Sequence, residues 1–249
     1  MTTLARYCLL LLLSLLVWSG VSASVFAATP WPSPALPAGL DTFTIADQLT
    51  VNNLPMRLRG FISPRRPAEL LDAFRHSLGQ PLVDSTVAGK QVLGRAEAGF
   101  YITVQIEAAG TGSKGILAVT DLATMARDHG QGQMSKARWL ERLPAGSIIT
   151  SQITSQENGR QAHHMVVLNR HAESVNRDAL LRLMTADGYQ FEREIGTDAV
   201  SQRSLPSRLA DARTLYFKSP GKEAMAVISR SGEHTSIVLN TTTTLQGFP

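Results

Sequence analysis

Met56 to Gly79 reads MRLRGFISPRRPAELLDAFRHSLG, and Met165 to Gly188 reads MVVLNRHAESVNRDALLRLMTADG. The two stretches align without a gap, and each runs from Met through a short alternating segment into an amphipathic pattern that stops at Gly. In the first, Met56 and Leu58 alternate with Arg57 and Arg59, the period of a half-buried strand. Pro67 suits the first turn of a helix, where its missing N–H costs nothing. Leu70, Leu71, Phe74 and Leu78 then fall on one helical face. Glu69 sits at the positive end, and Arg75 and His76 at the negative end, of that helix. In the second stretch Ser174 or Asn176 is the expected N-cap, and Val175, Ala179, Leu180, Leu183 and Met184 the apolar face. Gly79 and Gly188 are placed as C-terminal stops.

Working outward, both stretches have the same neighbours. A hairpin precedes each, turning at Asn52-Asn53 in one case and at Asn158-Gly159, a strong two-residue hairpin signal, in the other. Short apolar strands follow each: Phe100 to Ile106 and Ile116 to Val119 in the first half, Thr214 to Lys218, Met225 to Ser229 and Ile237 to Leu239 in the second. The fold class expected from this order is α+β, with two tandem, duplicated small domains, each an antiparallel sheet packed with one helix. In residue numbers, 1–28 is a signal peptide, 29–40 a Pro-rich tether and 41–122 the first unit. Residues 123–146 form a linker with a short helix, and 147–245 the second unit. In the linker His129-Gly130-Gln131-Gly132 is expected to break the chain, and MSKARWLERL (134–143) to form the helix. Thr241 to Thr244 is β-prone and expected at a sheet edge.

Over residues 41 to 245 this element order is similar to that of the paired helix-grip domains of bacterial envelope assembly factors. The similarity carries no motif residues, and the lipid-anchor cysteine of some of those proteins is missing. What it implies is therefore a fold and not an activity.

Composition narrows the classes. A chain 43% hydrophobic and 18% charged can bury a core. The first residues read as an export signal: Arg6, an apolar run from Cys8 to Trp18, then small residues at Val21-Ser22-Ala23 and Val25-Phe26-Ala27. Cys8 is the only cysteine, so processing leaves a chain without disulfides or a thiol nucleophile. A formal charge of +4 with a pI near 9.5, on an exported chain, argues against nucleic acid as partner.

No residue set announces a reaction. Gly110-Thr-Gly112-Ser-Lys-Gly115 matches GxGxxG, but a strand and not a helix follows it, so it reads as a hairpin loop. His163 and His164 point to opposite faces of a strand and do not share a metal with His171. There is no GxSxG elbow, and Asp121 with His129 is a weak pairing. No catalytic residue, cofactor site or metal site is expected. Arg57, Arg59, Arg65 and Arg66 form the one candidate surface, for an anionic partner. The function expected is an exported, non-enzymatic binding or assembly module of a bacterial-type cell envelope, periplasmic or secreted. Its partners would be other envelope proteins or an anionic envelope polymer, with membrane contact only through an uncleaved signal. An envelope-polymer hydrolase or transferase with a site between the units, and a small-ligand binder, are the alternatives. N-terminal sequencing of protein recovered from the envelope is expected to start near Ser24 or Ala28; an intact Met1 in the membrane fraction would mean an uncleaved anchor.

Overall fold

Two asparagine-led turns set the geometry of the chain. Asn52 and Asn53 adopt φ of 48° and 69°, and Asn158 and Gly159 adopt 49° and 69°. Two consecutive residues at positive φ make the turn whose twist matches that of paired strands, and Asn tolerates that region better than other side chains. The first joins β1 (Asp41–Val51) to β2 (Leu54–Ser63), and the second joins β7 (Ile148–Glu157) to β8 (Arg160–Asn169). The structure is a computed structural model that describes residues 30–196 and 212–245. The expected signal peptide, most of the polar stretch 197–213 and the chain end lie outside the described residues.

After each hairpin a helix forms: α1 (Pro67–Leu78) in the first half, α3 (Glu173–Ala186) in the second. Between the halves runs α2 (Leu122–Leu140). The remaining strands are β3 (Val83–Val87), β4 (Lys90–Glu97), β5 (Phe100–Ala109), β6 (Gly112–Asp121), β9 (Gln190–Gly196), β10 (Arg213–Ser219), β11 (Lys222–Ser231) and β12 (His234–Thr244). No helix among the described residues is long and apolar enough to cross a membrane.

The expectation of two separate domains, each with its own sheet, is overturned. All twelve strands form one antiparallel sheet in the order β3-β4-β5-β6-β2-β1-β7-β8-β12-β11-β10-β9. The halves meet where Leu49, Thr50 and Val51 pair with Ser155, Thr154 and Ile153. The physical reason is that β1 and β7 would each be a free edge if the halves stood apart, with a row of unpaired N–H and C=O groups. The outermost strands are β3 and β9, and Thr241 to Thr244 lies inside the sheet between β8 and β11.

Directly paired residues share a face of the sheet, so the register assigns both faces. Phe61, Leu93, Ile102, Val104, Ile106 and Leu117 lie beneath α1 and pack with its Leu70, Leu71, Phe74 and Leu78. Met165, Val167, Leu215, Ala226, Ile228 and Leu239 pack with Leu180, Leu183 and Met184 of α3. Thr50 pairs with Thr154, which also pairs with His163 of the second core's face. Both cores therefore lie on one side of the sheet.

The ungapped match read in the sequence is three residues out of register. The turns at Asn52 and Asn158, and the helix N-caps Arg66 and Ala172, are each 106 positions apart, whereas Met56 and Met165 are 109 apart. Two of the three extra residues lie in α3, with 14 residues against 12 in α1, and the third is Asp187, between the helix and Gly188. The position matching Phe74 is thus Leu180 rather than Leu183. Neither Ser174 nor Asn176 is the N-cap of α3. Asn176 is fully buried and exchanges two amide bonds with Asn169, at 2.7 and 3.0 Å. In both halves a buried hydroxyl from the sheet holds the turn before the helix. Ser113 Oγ donates to Arg65 O at 2.6 Å, and Thr235 Oγ1 donates to His171 O at 2.7 Å.

Two further expectations change. Gly130 and Gly132 do not break the chain, because α2 runs through both. Asp121 caps it, its Oδ1 accepting from Thr124 N at 2.8 Å. Glycine in a helix costs about 1 kcal/mol relative to alanine; at Gly132 a Cβ would fall 1.1 Å from Asn53 Nδ2, so a larger residue here would require the Asn53 side chain to turn away. The Pro-rich segment, for its part, lies against the first core through Trp31, Leu36 and Leu40.

Phe74→Ala and Leu180→Ala are each expected to cost on the order of 2–5 kcal/mol, from lost transfer energy and a residual cavity. With one sheet shared by both cores, each is expected to shift a single melting transition. Two separate transitions in calorimetry would show that the halves unfold independently.

Candidate functional site

The side of the sheet opposite the helices is the candidate site. Its rows follow from the pairing. One row runs Phe43–Gly60–Ile116–Gln105–Val92. Another runs Ala46–Leu58–Ala118–Thr103. Across the joint a third runs Val51–Ile153–His164–Asn240–Met225–Tyr216. Phe43 lies flat on Gly60, where a Cβ would come within 2.3 Å of the ring; glycine here makes room for an aromatic from the neighbouring strand. Phe43 remains 51% exposed, Ile62 52% and Ile116 38%, so these side chains meet water.

On this face the six central strands, β6-β2-β1-β7-β8-β12, carry charge only near strand ends, at Asp41, Lys114, Glu157 and Arg160. Glu107 sits at the same rim between Lys90 and Lys114, at 3.2 and 3.3 Å. Its bonds to those two amines hold the carboxyl below the usual carboxylate range. An antiparallel sheet with one face in water normally turns polar residues outward. Here the first-half part of the centre (Phe43, Leu58, Ile62, Ile116) is apolar, and the second-half part mixes Ile153, Val166 and Val238 with Ser155, His164, Ser236 and Asn240.

The sequence-named arginines are elsewhere. Arg57 and Arg59 share the helix-bearing face of β2 with Phe61, and Arg65 and Arg66 form the turn into α1. The alternation of Met56 and Leu58 with the arginines is real, but Met56 and Leu58 face the open side. Arg57 is covered by Trp31, its guanidinium 4.6 Å from the ring centre, and Trp31 in turn lies 5.1 Å from the ring of Phe100. The ion pairs among the described residues leave out all four arginines.

The histidines also separate. His163 lies on the helix-bearing face, stacked on Trp139 at 5.8 Å, with Gln152 Nε2 at 2.9 Å from its Nε2. His164 lies on the open face, its Nδ1 2.7 Å from Asn240 Oδ1. His171 Nε2 lies 2.7 Å from Ala145 O. No group of three or more His, Cys, Asp or Glu among the described residues is placed to hold a metal ion. Asp121 is spent on the α2 cap, and the side chain of His129 lies outside the described residues. Gly110-Thr111 is the turn of the β5–β6 hairpin, as its sequence context suggested.

Three concavities stand out among the described residues, one of them, of about 420 Å³, on the open face of the second half among Arg193, Tyr216, Lys218, Glu223, Met225 and Asn240. A second, of about 580 Å³, opens among Arg160, Gln190, Lys218, Lys222, Glu223 and Thr244, and mixes both charge signs. A third, of about 350 Å³, lies among Asn52, Asn53, Gln133, Lys136, Thr150 and Gln152. Phe74, Leu78 and Phe100, which would line a ligand cavity in a small-molecule carrier, are packed together at 0%, 2% and 3% exposure. No protein-family model, curated protein or solved structure matches this chain.

Burial, and secondarily the neighbouring His164, push the pKa of His163 down. A base whose folded pKa lies below its unfolded value, about 6.5, binds fewer protons folded than unfolded. Its contribution is full above that value and is lost as pH falls below it. The wild type is therefore expected to lose thermal stability as pH drops from 7 toward 5 by more than His163→Gln does. Parallel curves for the two proteins would remove His163 from the acid response.

Proposed function

We propose that the protein is an exported, non-enzymatic binding or assembly module of a bacterial-type cell envelope, working in the periplasm or outside the cell. The observation that carries this reading is the open face. Among the described residues the twelve strands are roofed on one side only, and the other side presents Phe43, Ile62 and Ile116 to solvent. Contiguous apolar surface of this kind marks interaction sites on soluble proteins. A broad face whose centre carries no charge suits a protein surface better than a small polar substrate, which calls for a concave pocket with a few convergent polar groups. The export signal read in residues 1–28 supports the location. The four arginines, on the opposite side, leave that side available for an anionic envelope polymer.

The test replaces Ile62 and Ile116 together by Asp in the full chain, followed by cross-linking in intact envelopes and recovery of the products. Substitutions at exposed positions change stability by about 0.5 kcal/mol or less, so the melting transition should survive. Cross-linked products are expected to disappear. Unchanged products from the double variant, with loss on Arg65→Glu/Arg66→Glu instead, would move the binding site to the helix-bearing side.

A further inference from the structure

We infer that the open face is an isologous interface, and that its occupant is a second copy of this chain; this rests on the binding role proposed above. Four observations lead there. The first is area. Strands about 4.8 Å apart and rising about 3.3 Å per residue give six strands of ten residues a face of about 950 Å². A standard stable interface needs about 800 Å² from each partner.

The second is charge. In an isologous contact residue i meets residue j, and a residue meets its own copy only on the two-fold axis, where a charge would face its like at a cost. The centre of this face, from Ile116 and Leu58 across Val51 and Ile153 to Val166 and Val238, carries none. The helix-bearing side, with its unpaired arginines, does not meet that condition. A heterologous partner is normally selected by charge complementarity, and this centre offers nothing to complement.

The third is the rim. Charges there come as opposite signs side by side: Asp41 and Lys114 flank Ile62, and Glu157 pairs with Arg160. A rim made of such mixed pairs carries no block of one sign to repel its own copy. The fourth is shape. Two sheets pack face to face about 10 Å apart through aliphatic and aromatic side chains. Phe43, lying on Gly60 and half exposed, fills that role without needing a pocket. The pairing would turn a sheet with one wet face into two layers with helices outside.

Sedimentation equilibrium of the exported full chain, across the micromolar range, is expected to return twice the chain mass. The Ile62→Asp/Ile116→Asp variant should return a single-chain mass. A wild type that stays at one chain throughout, or a double variant that keeps two, overturns the inference. A second measurement does not depend on that variant folding. In a Cys8→Ser background, a nitroxide at Gln105→Cys, on the open face, should show inter-chain dipolar broadening, and one at Glu69→Cys, on α1, should not. The reverse pattern would place the contact on the helix side and also overturn the inference. If the chain is a monomer while the open-face substitutions still abolish envelope cross-links, the binding role stands and only the second-copy assignment falls.

Discussion

The structure depends on three residue pairs. Leu49, Thr50 and Val51 of β1 meet Ser155, Thr154 and Ile153 of β7, and this ladder alone joins the strands of the two halves. Asn52 extends it. Its backbone N–H donates to Gln152 O at 2.8 Å, and its side-chain Oδ1 accepts from Gln152 N at 2.9 Å. One residue thus turns the hairpin at positive φ and adds a further rung to the joint. Because side chains alternate with a period of two, a one-residue slip here would send every side chain of one half to the opposite face. The register in place puts Thr50 and Thr154 on the helix side, and with them both cores.

Everything about the open face follows from that registry. Had the halves joined with opposite parity, each face would carry one helix and each would be half covered. With one parity, α1 and α3 roof the same side, and no element among the described residues covers the other. The edges of this sheet are managed in the ways edge strands usually are. β3 is five residues long, with Asp84 paired to Arg75, and β9 carries Glu192, Arg193 and Glu194. The exposed Phe43, Ile62 and Ile116 of the open face have no such protection among the described residues.

Much of the local structure was legible in the sequence. The turns at Asn52-Asn53 and Asn158-Gly159, the helix opened by Pro67, the stops at Gly79 and Gly188 and the β5–β6 hairpin follow from local backbone preferences, which act over a few residues. What depended on distant contacts was not legible. Nothing in Leu49-Thr-Val51 identifies its partner strand, since three mildly apolar residues pair equally well with many others. The break expected at Gly130 and Gly132 does not occur: the helix runs through both, and Gly132 lies against the side chain of Asn53, far away in sequence. Asn176 sits where a leucine sits in α1, and its bonds to Asn169 at the end of β8 and to the His171 and Ala172 carbonyls explain it. The face assignment of β2 was the most misleading point. Arg57 and Arg59 alternate with Met56 and Leu58 as polar-out residues would, yet it is the arginines that lie on the core side. A partial signal was present in Phe61 and Ser63, which share the arginines' parity and lead directly into the α1 turn.

That reversal has a geometric cause. A helix with its side chains is about 10 Å across, enough to roof two strands about 4.8 Å apart and not six. In the first half α1 lies over β4, β5 and β6, leaving β2 short of cover. Trp31 supplies it, brought in by the segment before β1, and turns an arginine into a core-side residue by stacking on its guanidinium. In the second half the corresponding position, 106 residues on, is His163, and Trp139 covers it from the end of α2. The same vacancy is filled by the same side chain from unrelated parts of the chain. The role of α2 is thereby defined: it carries the chain past the β1–β2 turn and delivers the indole that the second half needs. The glycine at which it passes Asn53 and the tryptophan it delivers serve one requirement, cover for a strip of sheet too wide for a single helix.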